Sequence, residues 1–299
     1  MSMTTWYILQ LEGIFAPYTG LTVFLPAVMF RRILKGRRLS EQFLMCYTFG
    51  NFYIINIVFA VQLLHISNFW TLVLLTFVLS VLIWSRVNRI SLKELSVNTI
   101  NIFRKILQGS LGPKGVWYRI WERIRTILKA AAGLFYREAV CNSLQWILSI
   151  AVLAALFWVY GRQLFLTYGY RASDINQMSR GHLFVSGVYP FGFHCVIYYL
   201  HTVFRVDTYV ILCTFYLVQV FFIHAVLLAM LKLLCRSPYL PYAGTLIYIL
   251  GSFWAIQTYS RFGASLPQEF GMIFVIPSVY FLIRFFQTDK SFGRIYIVR

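Results

Sequence analysis

Seven long apolar runs divide the sequence, and polar or basic stretches separate them. They cover residues 13–30, 42–64, 69–85, 143–161, 208–231, 240–259 and 269–286. A helix needs about 20 mainly apolar residues to cross the hydrocarbon core of a bilayer. The runs are continuous and lack the alternation of period two that marks the strands of a membrane barrel. The pattern therefore predicts an all-α, polytopic membrane helical bundle of about seven transmembrane helices.

Composition supports this class and excludes others. Apolar residues make up 60% of the chain and charged residues only 12%, whereas soluble domains have roughly 45–50% and 25%. A soluble globule of 299 residues has too much surface to cover with so few charges. Soluble enzymes, disordered chains and coiled coils are therefore poor interpretations.

The basic residues predict an orientation. Lys and Arg beside membrane spans favour the cytoplasmic side. With the N-terminus outside and the C-terminus inside, 22 of the 27 basic residues lie inside. The other five lie outside: Arg162, Arg171, Arg180, Arg205 and Arg261. The net charge of +18 is then a consequence of membrane orientation next to anionic lipid, and nucleic acid is not expected as a partner.

Residues 190–205 are apolar for too short a distance to span a membrane. On a helix, His194, Tyr198, His201 and Arg205 share one narrow polar stripe, because they stand at i, i+4, i+7 and i+11. The segment is therefore predicted to form an interfacial helix on the outer surface.

The other non-spanning segment covers residues 86–141. Trp117, Ile120, Trp121 and Ile124 recur at helical spacing, with basic residues between them. This pattern predicts a cytoplasmic basic amphipathic segment that lies on membrane lipids. The chain is thus expected to have an N-terminal three-span region with this segment (1–141) and a four-span region with an outer loop at 168–207 (142–299).

Ionisable residues concentrate in the outer loops, whereas the centres of the spans are expected to hold no acid or base, which disfavours proton pumps and ion channels. A site is expected where loop 168–207 meets the last outer loop. The candidates are Asp174, His194, His201, Arg205, Arg261 and Glu269.

Each candidate has a plainer alternative. Asp174 is either a turn or N-cap residue or a general base. His194 and His201 are either interfacial residues or half of a zinc site, although their spacing is not a strong metal pattern. Arg205 and Arg261 are either interfacial anchors or phosphate ligands, and Glu269 can complement the N-terminus of the last span.

One stretch resembles a known family. Ser173-Asp174 leads into Gly187-Val188-Tyr189-Pro190-Phe191-Gly192-Phe193-His194, which resembles the G-x-Y-P-x-G-x-H stretch of bacterial multi-span proteins similar to GT-C glycosyltransferases. The later LPQEFGMIF at 266–274 is also similar to this group. Here the acidic loop follows the fourth predicted span, whereas in the family it follows the first.

The resemblance implies an integral protein of the bacterial cytoplasmic membrane, with an enzymatic role in the cell envelope. It implies transfer of a sugar from a polyprenyl-phosphate donor to a glycan or lipid acceptor at the outer face. The resemblance carries over Asp174 as the acidic residue and Tyr189, Pro190, Gly192 and His194 as the matching turn. Together with the clustering of outer polar residues, it assigns Asp174 and His194 as catalytic residues and Tyr189, His201, Arg205, Arg261 and Glu269 as substrate-binding residues. No second carboxylate stands beside Asp174, so no metal site is assigned. No cofactor is expected, and a bound divalent metal is the minor alternative. The alternatives to a transferase are a non-catalytic membrane scaffold and a lipid or glycan transporter.

Overall fold

The computed structural model describes residues 3–89, 143–161, 191–255, 261–263 and 265–287, together with a few isolated positions between 117 and 129. All regular elements in these residues are helical. In chain order they are α1 (Met3–Thr19), a π-helical turn (Gly20–Phe24), α2 (Leu25–Met29), α3 (Arg31–Leu34), α4 (Leu39–Leu63), α5 (Phe69–Asn88), α6 (Ser143–Tyr160), α7 (Gly192–Phe204), α8 (Thr208–Leu234), α9 (Leu240–Trp254), α10 (Pro267–Phe270) and α11 (Met272–Gln287).

Six described helical segments are long and apolar enough to cross a membrane. They are Leu11–Met29, Leu39–Leu63, Phe69–Asn88, Ser143–Tyr160, Thr208–Leu234 and Pro267–Gln287. Each matches one of the predicted runs, and the set fits an integral membrane protein. The seventh run forms α9, which has 15 residues and ends where Ala255 adopts an extended backbone. It falls short of the length that a straight span requires, so the count of seven stays a prediction.

The first span changes its helical geometry halfway along. The Leu25 N–H donates to the Gly20 carbonyl, five residues back, which is the hydrogen bond of a π-helix. Pro26 stands one residue later, and it has no N–H to donate to Thr22 while its ring crowds the carbonyl at that position. The proline therefore accounts for the wider turn at this point.

The centre of the bundle is α8. It packs against α1, α4, α9 and α11, so helices from both halves of the chain share one core. Phe222 on α8 stacks on Tyr47 of α4, with the ring centroids 4.5 Å apart. It also makes an edge-to-face contact with Tyr18 of α1, with the ring centroids 5.4 Å apart.

The described helices alternate in direction as predicted. At one end, the Asn88 side chain donates to the Met29 carbonyl and the Lys232 ammonium lies over the Tyr242 ring. At the other end, Ser67 donates to the Tyr198 hydroxyl and the short segment before α10 touches the start of α8. Which of these ends faces the cytoplasm stays a prediction.

Helix α7 forms where the polar stripe predicted one, but it does not lie on an exposed surface. All eight residues from Phe193 to Leu200 are buried, and α7 packs against α4, α5, α8 and α10. The prediction of an outer interfacial helix is therefore wrong about its surroundings. On the predicted polar stripe a protein group takes the place of water, because Tyr198 accepts from Ser67 at 2.9 Å. On the adjacent face, the Tyr199 hydroxyl bonds to Thr76 at 2.9 Å.

Most of the predicted cytoplasmic amphipathic segment lies outside the described residues. Within it, Trp117 and Trp121 are helical and exposed.

Candidate functional site

The structure describes five of the seven residues assigned to the site from sequence. Asp174 and Tyr189 lie outside the described residues. His194, His201 and Arg205 lie on or directly after α7, Glu269 lies in α10, and Arg261 lies in the segment before α10.

His194 stands in the first turn of α7 and is enclosed by protein. Its exposed fraction is only 3%, and its ring lies 5.6 Å from that of Phe193. No group of three His, Cys, Asp or Glu side chains in the described part of the chain is arranged to hold a metal ion. The proposed zinc pairing of His194 with His201 thus gains no third ligand from these residues.

Burial also controls ionisation on α7. Removal from water disfavours the charged thiolate and phenolate, so burial raises the pKa of the Cys195 thiol to about 12. Burial likewise raises the pKa of the Tyr199 hydroxyl, against the smaller opposing effect of its hydrogen bond with Thr76. Both groups are neutral at physiological pH, so α7 brings no negative charge from these side chains to its surroundings.

The start of α7 meets the short helix α10. Phe193 contacts Phe270 at 5.7 Å and Phe215 of α8 at 5.8 Å, measured between ring centroids. Phe215 and Phe270 lie 6.3 Å apart. These three rings, which we call the aromatic floor, bring the residue next to His194 together with the residue next to Glu269. The two predicted loop regions therefore do converge at these positions.

Glu269 is a buried carboxylate that Arg261 holds from one side. Arg261 Nε forms an ion pair with Glu269 Oε1, and a second guanidinium nitrogen donates to Gln268 Oε1 at 2.5 Å. The side chain of Arg261 is half exposed, whereas that of Glu269 is 9% exposed. The other carboxylate oxygen, Oε2, is buried and has no hydrogen-bond partner among the described residues. Arg261 thus fixes the carboxylate and leaves one oxygen free.

His201 and Arg205 lie at the other end of α7. Arg205 stands about 16 Å from His194 along the helix axis. A ring nitrogen of His201, Nδ1, contacts the Val206 carbonyl at 2.8 Å. Arg205 adopts the left-handed backbone conformation, with φ of 55°, and its guanidinium lies 5.8 Å from the Phe69 ring centroid. The predicted stripe is therefore divided between an enclosed first turn and an exposed last turn.

Sequence reasoning missed a polar chain in the middle of the bundle. The Tyr18 hydroxyl donates to Asn51 Oδ1 at 2.7 Å, so the Tyr47 hydroxyl donates to Tyr18 at 2.8 Å. Asn51 Nδ2 in turn donates to the Tyr47 carbonyl. Asn51 is the thirteenth of 25 residues in α4, which places this chain halfway along the helix. Asn51, one of two Asn residues in the predominantly apolar run 42–64, was the available signal.

His224 was also missed, and the expectation that the spans have no acid or base near their centres is wrong. It lies within α8, is 1% exposed and bonds through Nδ1 to the Val220 carbonyl at 2.8 Å. Tyr160, Tyr248 and Phe262 surround its ring at centroid distances of 5.5–6.0 Å. Tyr160 also bonds to Ser252, so this histidine stands in an aromatic environment that joins α6, α8 and α9.

Comparisons of the chain with protein-family models, curated proteins and solved structures give no match.

Proposed function

We propose that the chain is an integral membrane protein of the GT-C glycosyltransferase type, which transfers a sugar from a polyprenyl-phosphate donor at the outer face of the membrane. The proposal rests on the sequence resemblance at 173–194 and 266–274. One structural observation carries it further: α7, which holds the end of the first motif, packs against α10, which holds the second.

The roles follow from the chemistry of each side chain. Asp174 accepts the proton of the acceptor hydroxyl, so that its oxygen forms the new bond to the sugar carbon. The bond from that carbon to the donor phosphate breaks, and the polyprenyl phosphate leaves with the electron pair. A cation next to the leaving phosphate stabilises its charge. Arg205 suits this role because it is exposed and lies against Phe69 at the start of α5, a helix with an exposed apolar face.

The described residues refine two of the assignments. Because His194 is enclosed, we assign it to positioning α7 beneath the site rather than to proton transfer. Arg261 is committed to Glu269 and Gln268, so its main effect is to orient the Glu269 carboxylate.

The test is sugar transfer by membranes that contain the protein, supplied with a polyprenyl-phosphate sugar and a lipid or glycan acceptor. Asp174→Asn should abolish transfer without changing the amount of folded protein. Asp207→Asn is the matched control, because Asp207 caps α8 by accepting from the Tyr209 N–H and Asn caps a helix equally well. Transfer at the wild-type rate by Asp174→Asn would refute the assignment of the base. No transfer by any form would favour a scaffold.

The chain of Tyr18, Tyr47 and Asn51 favours a second candidate, a lipid or glycan transporter. A transporter needs polar groups at membrane depth, and these three provide them. The transferase and the transporter differ in whether water reaches the hydrogen-bonded side chains of Tyr18, Tyr47 and Asn51. A cysteine placed at Asn51 should react with a water-soluble maleimide if the protein transports, and should stay unreacted if it is a transferase with a closed bundle.

A further inference from the structure

The start of α3 and the last turn of α5 are joined by the side chain of Asn88. Its Nδ2 donates to the Met29 carbonyl at 2.9 Å, and its Oδ1 accepts from the Arg32 backbone N–H at 3.1 Å. A further hydrogen bond from Nδ2 to the Trp84 carbonyl, at 2.8 Å, holds the amide against its own helix. Asn88 therefore fixes the short helix α3 against the end of α5.

These hydrogen bonds bring four arginines together. Arg31 and Arg32 are the first two residues of α3, and Arg86 and Arg89 stand just before and just after Asn88. The Arg89 N–H lies 3.4 Å from the Arg86 carbonyl, and Arg89 takes the left-handed conformation that ends α5. The four backbones thus lie within about one helical turn of the Asn88 amide. We call these four residues the arginine cluster.

The arginine cluster carries four positive charges that no acid within the described ranges pairs with. All four residues are exposed. Glu41, the acid in the first turn of α4, forms its ion pair with Arg37 instead. Like charges this close repel one another, and the planar guanidinium group matches the oxygens of a phosphate bidentately. The cluster is therefore suited to an anion that carries phosphate.

Exposed apolar side chains lead directly to the arginine cluster. On α5, Val78 and Leu82 stand eight and four residues before Arg86 and so share its face of the helix. Each of the two is 46% exposed. Helix α2, which packs against α5, adds Val28, which is 58% exposed. The acyl chains of a lipid would cover this apolar surface, whereas free phosphate would leave it bare.

We infer that the arginine cluster binds the headgroup of an anionic phospholipid. The guanidinium groups hold the phosphate, and the acyl chains lie along the exposed faces of α5 and α2. The inference is independent of the proposed function, because this end of the bundle is opposite to the end where α10 meets the start of α8. It also holds whichever end faces the cytoplasm.

The experiment measures lipid binding by the purified full-length chain in a neutral detergent. The protein is titrated with phosphatidylglycerol, phosphatidylcholine or inorganic phosphate, and native mass spectrometry counts the molecules bound at each concentration. Phosphatidylglycerol should bind about tenfold more tightly than the other two, because choline brings a positive charge next to the arginines and free phosphate lacks acyl chains. The double variant Arg32→Gln/Arg89→Gln should bind phosphatidylglycerol about tenfold more weakly than wild type, through loss of charge-assisted hydrogen bonds.

Two further variants distinguish a built site from general attraction between charges. Arg38→Gln/Arg236→Gln is the matched control, because it removes the same charge from exposed residues at the same end of the bundle but outside the arginine cluster. It should bind phosphatidylglycerol like wild type. Asn88→Ala keeps every charge but removes the hydrogen bonds that hold α3 against α5, and it should weaken the binding.

Three results would overturn the site. They are equal affinity for phosphatidylglycerol and phosphatidylcholine, equal losses in the two double variants, and binding of inorganic phosphate as tight as that of phosphatidylglycerol. Thermal unfolding in detergent shows whether each variant is folded. The double variants change exposed residues only, so they decide the question if Asn88→Ala does not fold. A protein that binds phosphatidylglycerol as expected but transfers no sugar would refute the proposed function and leave this site intact.

Discussion

Gly50 of α4 lies directly against the backbone of Thr22 in the π-helical turn. A Cβ atom at position 50 would stand 2.5 Å from the Thr22 Cα, a distance at which one of the two backbones must move. The absence of a side chain on Gly50 is thus what allows α4 and the widened turn of the first span to cross so closely.

Replacement of Gly50 by Ala should therefore destabilise the bundle, although Ala is the better helix former by about 1 kcal/mol. We expect a lower melting temperature in detergent and less folded protein. Gly251→Ala is the control, because nothing lies within 4 Å of a Cβ at that position of α9. Its stability should be equal to or above that of wild type. Equal stability of the two variants would contradict the close crossing.

The two tyrosines of the central polar chain should differ in importance. Tyr18→Phe removes the donor to Asn51 and the acceptor for Tyr47 at once, and should cost about 1–3 kcal/mol. Tyr47→Phe leaves the Tyr18–Asn51 bond intact and should cost about 1 kcal/mol or less. Unfolding titrations of both single variants and of the double variant would measure this order. A larger loss of unfolding free energy in Tyr47→Phe than in Tyr18→Phe would contradict the direction of the hydrogen bonds from Tyr47 to Tyr18 to Asn51.

Cys195 should be inert to thiol reagents in the folded protein. Its pKa of about 12 keeps the reactive thiolate rare across the usual labelling range, since an ordinary thiol has a pKa of about 8.5. A rise from pH 7 to pH 9 stays below the pKa of the buried thiol and should give no substantial labelling, whereas denaturant should give complete labelling. A variant that keeps Cys235 alone is the control, because Cys235 is partly exposed at the end of α8. Rapid maleimide reaction at Cys195 in the folded protein would instead support the prediction that α7 is an exposed interfacial helix.

The two ends of the bundle should lie on opposite sides of the membrane. In a background without the five native cysteines, we expect Ile66→Cys to react with a membrane-impermeant maleimide in intact cells. Arg32→Cys and Arg236→Cys should react only after permeabilisation, because the basic end is predicted to be cytoplasmic. Reaction of Arg32→Cys and Arg236→Cys from opposite sides would contradict the helix order, and reaction of both from outside would invert the orientation.

The positions of the spans could be predicted because a bilayer imposes length and apolarity on each helix separately. The surroundings of α7 could not, because a polar stripe has the same spacing whether water or protein groups satisfy it. Here the partner of Tyr198 is Ser67, which stands 131 positions earlier and has no periodic relation to α7.

In the candidate site, too, some features could be predicted from the sequence and others could not. The contact between α7 and α10 could be predicted from the clustering of charged residues in the two segments that contain them. The free oxygen of Glu269 could not, since it depends on which side of the carboxylate Arg261 occupies. The central chain requires Tyr18 to lie opposite Asn51, a pairing that depends on the crossing at Gly50 rather than on the pattern of either helix.

The length of α8 changes how this bundle should respond to its lipids. Its 27 residues extend about 40 Å, well beyond a hydrocarbon core of about 30 Å. Yet 78% of its most apolar window is buried inside the protein, against 22% for α5 and 28% for α6. Because α8 contacts protein along most of its length, hydrophobic mismatch does not act on it directly. Bilayers of different thickness should instead act through α5 and α6, whose most apolar windows are mostly left uncovered by the described residues.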